Sequence, residues 1–316
     1  MTPEPSIRIL NWLLKRQKPT YQKSLPEIEK RNAAQFNGPL AWIFLGPNLS
    51  LPKVVNHTLT GRHGAIPVRL YYPRLDADLP LIVFFHGGGW VTGSLETHDR
   101  LCRRIAKDSD ALIVAVDYRL APWHKYPVPL EDCYDAVLWA SSQAKTLGAD
   151  ANKLIVMGDS AGGNMAAAVC LIARDQSGPK IHRQVLIYPA VDGTLSQPSH
   201  QRYADAPLLS KTAVHFFRDQ YMKTLADIQE AYFSPLLAET LAHLPPAFIL
   251  TAEYDPLHDE AKAFAEQLTA AGGTVIYKDY PGMVHAFMHF PRFCSGAAKA
   301  FAAIAEDIKA ATTHHV

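Results

Sequence analysis

Ser160 stands in the string Gly158-Asp159-Ser160-Ala161-Gly162-Gly163, after the apolar run 154–157 and before the alanine-rich stretch 161–173. Small residues on both sides would let the chain turn sharply out of a strand. Such a turn sets the hydroxyl above a sheet, at the positive end of the following helix dipole. A second glycine string, His86-Gly87-Gly88-Gly89-Trp90, follows the run 81–85. Three consecutive glycines cost chain entropy, so they mark a backbone that must approach something closely. The amides of Gly88 and Gly89, together with that of Ala161, are candidates to converge on one developing oxyanion. A serine beside backbone donors of this kind is the equipment of acyl transfer.

Each string also has a plainer reading. Ser160 could be a helix N-cap, and the glycines a surface loop. A phosphate-binding loop fits poorly, because neither the G-x-G-x-x-G spacing nor a following Lys-Ser/Thr is present. His86 reads as a side chain that braces the loop rather than one that catalyses.

A serine nucleophile needs a base, and the base needs an orienting acid. In open α/β sheets such groups lie on loops beyond the carboxyl ends of strands. After the run 247–251 comes Glu253-Tyr254-Asp255-Pro256-Leu257, and after 274–279 comes Pro281-Gly282-Met283-Val284-His285. The candidates are therefore Ser160, Asp255 and His285, in that chain order. The order suits this architecture and differs from the chymotrypsin and subtilisin orders. Glu253 and Asp259 are rival acids. Asp255 is preferred because it directly follows the strand and precedes a rigid proline. His289 is the rival base. Its spacing four residues after His285 would also suit a pair of metal ligands on one helical face, but the local sequence offers no third ligand.

These loops need a scaffold that holds them together. Short apolar runs at 81–85, 112–117, 154–158, 184–188, 247–251 and 274–279 alternate with helix candidates at 95–108, 129–146, 161–174, 258–271 and 295–311. That alternation predicts an α/β fold with a mainly parallel sheet covered on both faces. Runs at 54–60 and 66–72 read as a hairpin, and 6–16 and 26–36 as two short helices. The interval from 189 to 245 is too long for a simple connection. It holds a polar stretch, 192–210, and an apolar-patterned helix, 211–223, and it reads as an insertion lying beside the N-terminal helices.

Bulk composition narrows the function classes. The chain has 316 residues, 48% of them hydrophobic and 19% charged, with a formal net charge of +1. Its Lys and Arg are scattered, so no nucleic-acid partner is expected. No apolar run is long enough to span a bilayer. The opening 1–18 reads as an amphipathic helix rather than a secretory leader. Cys102, Cys133, Cys170 and Cys294 are far apart without C-x-x-C spacing, which suits buried thiols in a cytoplasmic protein.

H-G-G-G-W at 86–90, D-Y-R-L-A-P at 117–122, G-D-S-A-G-G at 158–163, E-Y-D-P-L at 253–257 and G-M-V-H at 282–285 together resemble the bacterial hormone-sensitive lipase family. These are the family IV lipolytic enzymes of the α/β-hydrolase superfamily, and the match is to the G-D-S-A-G branch. The resemblance runs from about residue 50 to the C-terminus. It implies an α/β-hydrolase fold with an eight-stranded, mostly parallel sheet and a helical cap. The cap would comprise 1–50 and the insertion 191–240, and the core 51–190 and 241–316. It also implies a catalytic set of Ser160, Asp255 and His285, and an oxyanion hole of Gly88, Gly89 and Ala161. The activity implied is a carboxylesterase on short- to medium-chain acyl esters, with no cofactor and no metal. A peptidase, amidase or lactonase using the same triad, or a non-catalytic binding protein on this fold, are the alternatives. The small-molecule ester is the expected partner. The resemblance also raises a homodimer paired through the edge of the last strand, for which the sequence has no signal of its own. Two departures stand out: Trp123 where many relatives are acidic, and Ala286 where glycine often follows the histidine. Trp12, Leu13, Leu14, Phe36, Trp42, Phe216, Phe217 and Tyr221 are candidates to line an acyl pocket.

Overall fold

The computed structural model describes residues 3–14, 18–32, 45–46, 48–76 and 78–313. Eight strands form one sheet: β1 (Lys53–Gly61), β2 (Gly64–Tyr72), β3 (Leu79–Phe85), β4 (Leu112–Val116), β5 (Ala149–Asp159), β6 (Arg183–Ile187), β7 (Ala247–Tyr254) and β8 (Val275–Val284). Their spatial order is β1-β2-β4-β3-β5-β6-β7-β8. The β1–β2 hairpin is antiparallel and β2 meets β4 antiparallel; every later pairing is parallel.

The central strands β3, β4 and β6 are buried along their whole length, as expected of a parallel sheet covered on both faces. Period-two alternation divides the side chains between two layers. Leu81, Val83 and Phe85 join one core with the helices Val128–Gln143, Ala161–Asp175 and His258–Ala270. Ile82 and Phe84 join the other, with the helices Leu95–Ser109 and Gly296–Thr313. Helix Ala161–Asp175 is buried from Ala161 through Ala173, and its alanines let it seat close against the sheet.

The elements match the sequence reading with shifts at their ends. Two of the shifts bear on the site. β7 runs on to Tyr254 and β8 to Val284, so Pro281-Gly282-Met283, read above as loop, belongs to a strand. Pairing resumes at Tyr254↔Val284 after an irregularity. Proline is tolerated there because β8 is an edge strand. The insertion contains the helices Ser199–Arg202 and Lys211–Tyr221 and two 3-10 turns, Asp227–Gln229 and Pro235–Leu237. Helix Lys211–Tyr221 starts at Ser210, whose hydroxyl accepts the Ala213 N–H, and stops when Met222 turns extended. It packs on the N-terminal 3-10 turn Thr20–Gln22, so the insertion and the N-terminal segment do meet. The second N-terminal helix is described over Leu25–Asn32; the rest of the predicted 26–36 lies outside the described residues.

Candidate active site

Strand register assembles the site. Phe85 pairs with Gly158 across β3 and β5, so the His86 loop and the Ser160 turn leave the sheet side by side. The pairing of Tyr254 with Val284 does the same for Asp255 and His285.

Ser160 has φ +57° and ψ −120°, a conformation that costs a non-glycine residue about 1–3 kcal/mol and persists only where surroundings impose it. Here they do: the Ser160 N–H donates to Ile187 O at 2.8 Å, and its carbonyl accepts from Asn164 and Ala190 at 3.1 and 3.2 Å. The flanking glycines are needed for space. A Cβ on Gly162 would stand 1.9 Å from Phe85 O, and one on Gly158 2.2 Å from Gly162 O.

His285 bridges the other two candidates. Its Nε2 lies 2.8 Å from Ser160 Oγ and its Nδ1 2.6 Å from Asp255 Oδ2. Asp255 is fully buried, and its other oxygen accepts the Leu257 N–H at 2.9 Å. The carboxylate is thus fixed from both sides. The rival acids are engaged elsewhere. Glu253 accepts the Gly282 N–H at 2.7 Å, which holds the approach to His285. Asp259 pairs with Arg202 and His258.

Gly88 and Gly89 have φ +122° and +63°, both in the region that favours glycine. The Gly88 carbonyl accepts from Thr92 N and Thr92 Oγ1, each at 2.9 Å, which closes the loop into a tight turn. Asp159 reaches across and accepts the Gly87 N–H at 2.9 Å. His86 braces, as expected. Its Nδ1–H donates to Gly87 O at 2.9 Å, its ring stacks on Tyr118 at 4.3 Å, and Tyr118 Oη donates to His86 O. Burial pushes His86 down to about 3, so it stays neutral. Ala286 takes φ +59°, the left-handed conformation that glycine would adopt without strain.

A cavity of about 590 Å³ opens over Ser160 and His285, within the usual range for a small organic ligand. Leu13 and Phe217 line it, as proposed from sequence. The other candidates do not all follow. Tyr221 is buried and stacks between Trp90 and Phe233, at 4.7 and 5.1 Å. Phe216 packs against the core, and Trp12 is exposed. Phe36, Trp42 and the Leu14 side chain lie outside the described residues. The sequence reading missed Leu208, Leu209 and Val214 on the cavity wall; the first two sat inside a stretch taken as polar. It also missed Glu260, buried beside the cavity. There its carboxyl accepts the N–H groups of Val191 and Asp192 and meets His200 Nε2 at 2.7 Å.

His289, the rival base, points its Nε2 at Asp159 Oδ2, 3.1 Å away, and takes no part in the Ser160–His285–Asp255 chain.

A strained serine at a strand–helix turn, an imidazole within reach of it, and a glycine loop beside both describe a hydrolase built on an α/β sheet. The family model described as alpha/beta hydrolase fold matches residues 82–289, and the chain belongs to that family, in its hormone-sensitive-lipase-like branch. It is 43% identical over 240 residues to the carboxylesterase NlhH of Mycobacterium tuberculosis, covering 74% of this chain and 75% of that protein. It is 38% identical over 259 residues to an ethyl acetate hydrolase of Pseudomonas putida, covering 80% and 81%. The hyperthermophilic esterase of the archaeon Pyrobaculum calidifontis superposes with a TM-score of 0.91 at 38% identity, over 98% of this chain and 99% of that one. The protein is a carboxylic ester hydrolase. No described helix is long and apolar enough to cross a membrane.

Proposed function

We propose that Ser160 is the nucleophile of this esterase, with His285 as general base and then general acid, and Asp255 as the group that orients it. As Ser160 Oγ attacks the ester carbonyl, His285 Nε2 takes its proton. The carbonyl oxygen becomes an oxyanion held by the N–H groups of Gly88, Gly89 and Ala161. The imidazolium returns the proton to the leaving alcohol, and the acyl-enzyme remains. A water then gives its proton to the same nitrogen, attacks, and releases the acid. Asp255 fixes the ring so that Nε2 faces the serine, and balances the positive charge while it lasts.

The observation that supports this most is the pair of contacts made by one imidazole, 2.8 Å to the hydroxyl and 2.6 Å to a buried carboxylate. Ser160→Ala should stop turnover of p-nitrophenyl butyrate, a loss of about a millionfold by comparison with other serine hydrolases, and should abolish labelling by a fluorophosphonate. A folded Ser160→Ala protein with near-normal turnover would refute the assignment.

Short- to medium-chain acyl esters fit a cavity with apolar walls contributed by the insertion. We read residues 1–50 and 191–240 as the cap over a core of 51–190 and 241–316. The four cysteines are buried free thiols, which suits a reducing, cytoplasmic setting. A homodimer through the open edge of β8 is proposed on that edge's exposed Ile276; a monomer by analytical ultracentrifugation would dismiss it.

A further inference from the structure

His98, Asp159 and His289 come from three separate segments: the first turn of helix Leu95–Ser109, the end of β5, and the 3-10 turn Phe287–His289. Their nearest donor atoms all lie within 4.8 Å of one another. The ester reaction proposed above uses none of them as a proton carrier. We propose that they form a binding site for a divalent transition-metal ion of the zinc class.

The spacing is the first argument. Two donors bound tetrahedrally at zinc–nitrogen or zinc–oxygen distances stand about 3.3 Å apart. His98 Nε2 is 3.4 Å and His289 Nε2 is 3.1 Å from the same oxygen, Asp159 Oδ2. Two of the three edges already have the required length, and a tilt of one ring closes the third. Two imidazoles and one carboxylate are a donor set that zinc accepts while keeping a further position open. All three residues line the cavity, so that position would face it.

The outer contacts are the second argument. A metal-binding imidazole usually donates its other N–H to an acceptor that fixes its orientation. His98 Nδ1 lies 2.8 Å from Thr97 Oγ1. That hydroxyl already accepts the Ser94 N–H and can donate to Ser94 O, both at 2.9 Å. With its own proton placed on Ser94 O, Thr97 offers His98 a lone pair. His98 Nδ1 is then the protonated nitrogen, and its Nε2 presents a lone pair toward the Asp159 carboxylate. The Gly87 N–H reaches both that nitrogen, at 3.2 Å, and Asp159 Oδ1, at 2.9 Å; an ion seated on Asp159 Oδ2 would take over the Nε2 lone pair and leave the Gly87 N–H on Oδ1.

An ion held here would pull on Asp159, whose Oδ1 carries the Gly87 N–H, and so would distort the adjoining glycine loop. Slowed ester turnover on metal addition is the consequence. That consequence rests on the oxyanion assignment above; the binding itself does not.

Cobalt(II) provides the test, because its visible absorption reports coordination without reference to activity. Titrating the full-length, metal-free protein should give one saturable equivalent with the intense bands of a four- or five-coordinate ion. His289→Gln should weaken it by more than about 100-fold, since loss of an outer partner alone costs about 10–100-fold. A variant with both His314→Ala and His315→Ala should bind as the parent does, which separates this site from the histidine pair in the C-terminal tail. Anomalous scattering from a zinc-soaked crystal of the unaltered protein supplies a reading that needs no variant, with a peak expected among the three side chains. No saturable binding, binding indifferent to His289→Gln, binding lost with the tail histidines, or a peak elsewhere overturns the proposal.

Discussion

Gly88→Ala tests the oxyanion assignment without touching the triad. Gly88 sits at φ +122°, where L-residues are strained. An added Cβ would lie 2.1 Å from the Thr92 carbonyl oxygen and 2.5 Å from its carbon. That obstacle is backbone, so no rotamer change relieves it. It is also tied to Gly88 itself, because Thr92 N and Oγ1 both donate to the Gly88 carbonyl at 2.9 Å. To reach ordinary contact the turn has to open by about 1 Å, and misplacement on that scale can cost about 100-fold in rate. The moving peptides carry the N–H groups of Gly88 and Gly89. Loss of one oxyanion donor costs about 100- to 1000-fold in kcat, and that is the drop expected here. KM should move less, because those bonds strengthen mainly as charge develops on the oxygen. Initial rates on p-nitrophenyl butyrate measure the effect, with circular dichroism to establish that the variant is folded. A folded Gly88→Ala protein with kcat within about tenfold of the parent, well short of the loss of one donor, would remove Gly88 and Gly89 from the mechanism.

Asp255→Asn should lower kcat by about 10⁴-fold, as loss of the correct ring tautomer does in other triads; comparable losses in Glu253→Gln or Asp259→Asn would move the acid elsewhere. Phe217 stands over Gly89, where an added Cβ would meet its ring at 2.3 Å. Phe217→Ala should therefore shift the best acyl chain toward greater length, and an unchanged chain-length profile would show that this ring does not bound the acyl pocket. Burial pushes the Glu260 carboxyl up from 4.5 to about 7, so between those values the folded chain holds a proton that the unfolded chain has released. Its contribution to stability is complete below about 4.5 and disappears as pH rises through about 7. Glu260→Gln should flatten the fall in Tm over that window, and a parent-like slope would contradict the argument.

The candidate site was legible where the proposed chemistry demands particular residues on particular loops. Glycine at 88, 158 and 162 answers to steric limits set by neighbouring backbone, and such positions show in one sequence because no other residue fits. Asp255 could be preferred over Glu253 and Asp259 because a strand end and a proline fix where it points. The cavity wall was less legible. An aromatic residue at helical spacing serves a pocket or a core equally well, and Tyr221 went to the core while its neighbour Phe217 turned to the cavity. Leu208 and Leu209 could not be read from a polar stretch, because their inward turn depends on how the insertion lies over the sheet. His289 shows the limit most clearly. Its neighbours His98 and Asp159 lie far from it in sequence, and only the fold brings the three together.

The proposed triad shows how the fold sets its own tolerance. Ser160, Asp255 and His285 follow β5, β7 and β8, and β6 lies between the first and the others. β6 therefore controls the span across which His285 must reach. Its role is direct: Ile187, the partner of Asp159 in the β5–β6 register, also accepts the Ser160 N–H. On the far side, Asp255 and His285 need no reach across the sheet, because the Tyr254–Val284 pairing delivers them as neighbours. Only one gap in the triad has to be bridged by a side chain, and an imidazole with two ring nitrogens bridges it while holding both partners. The proposed acid and base are thus set by strand pairing, the proposed nucleophile by the strain of its turn, and the remaining freedom is the tilt of one ring.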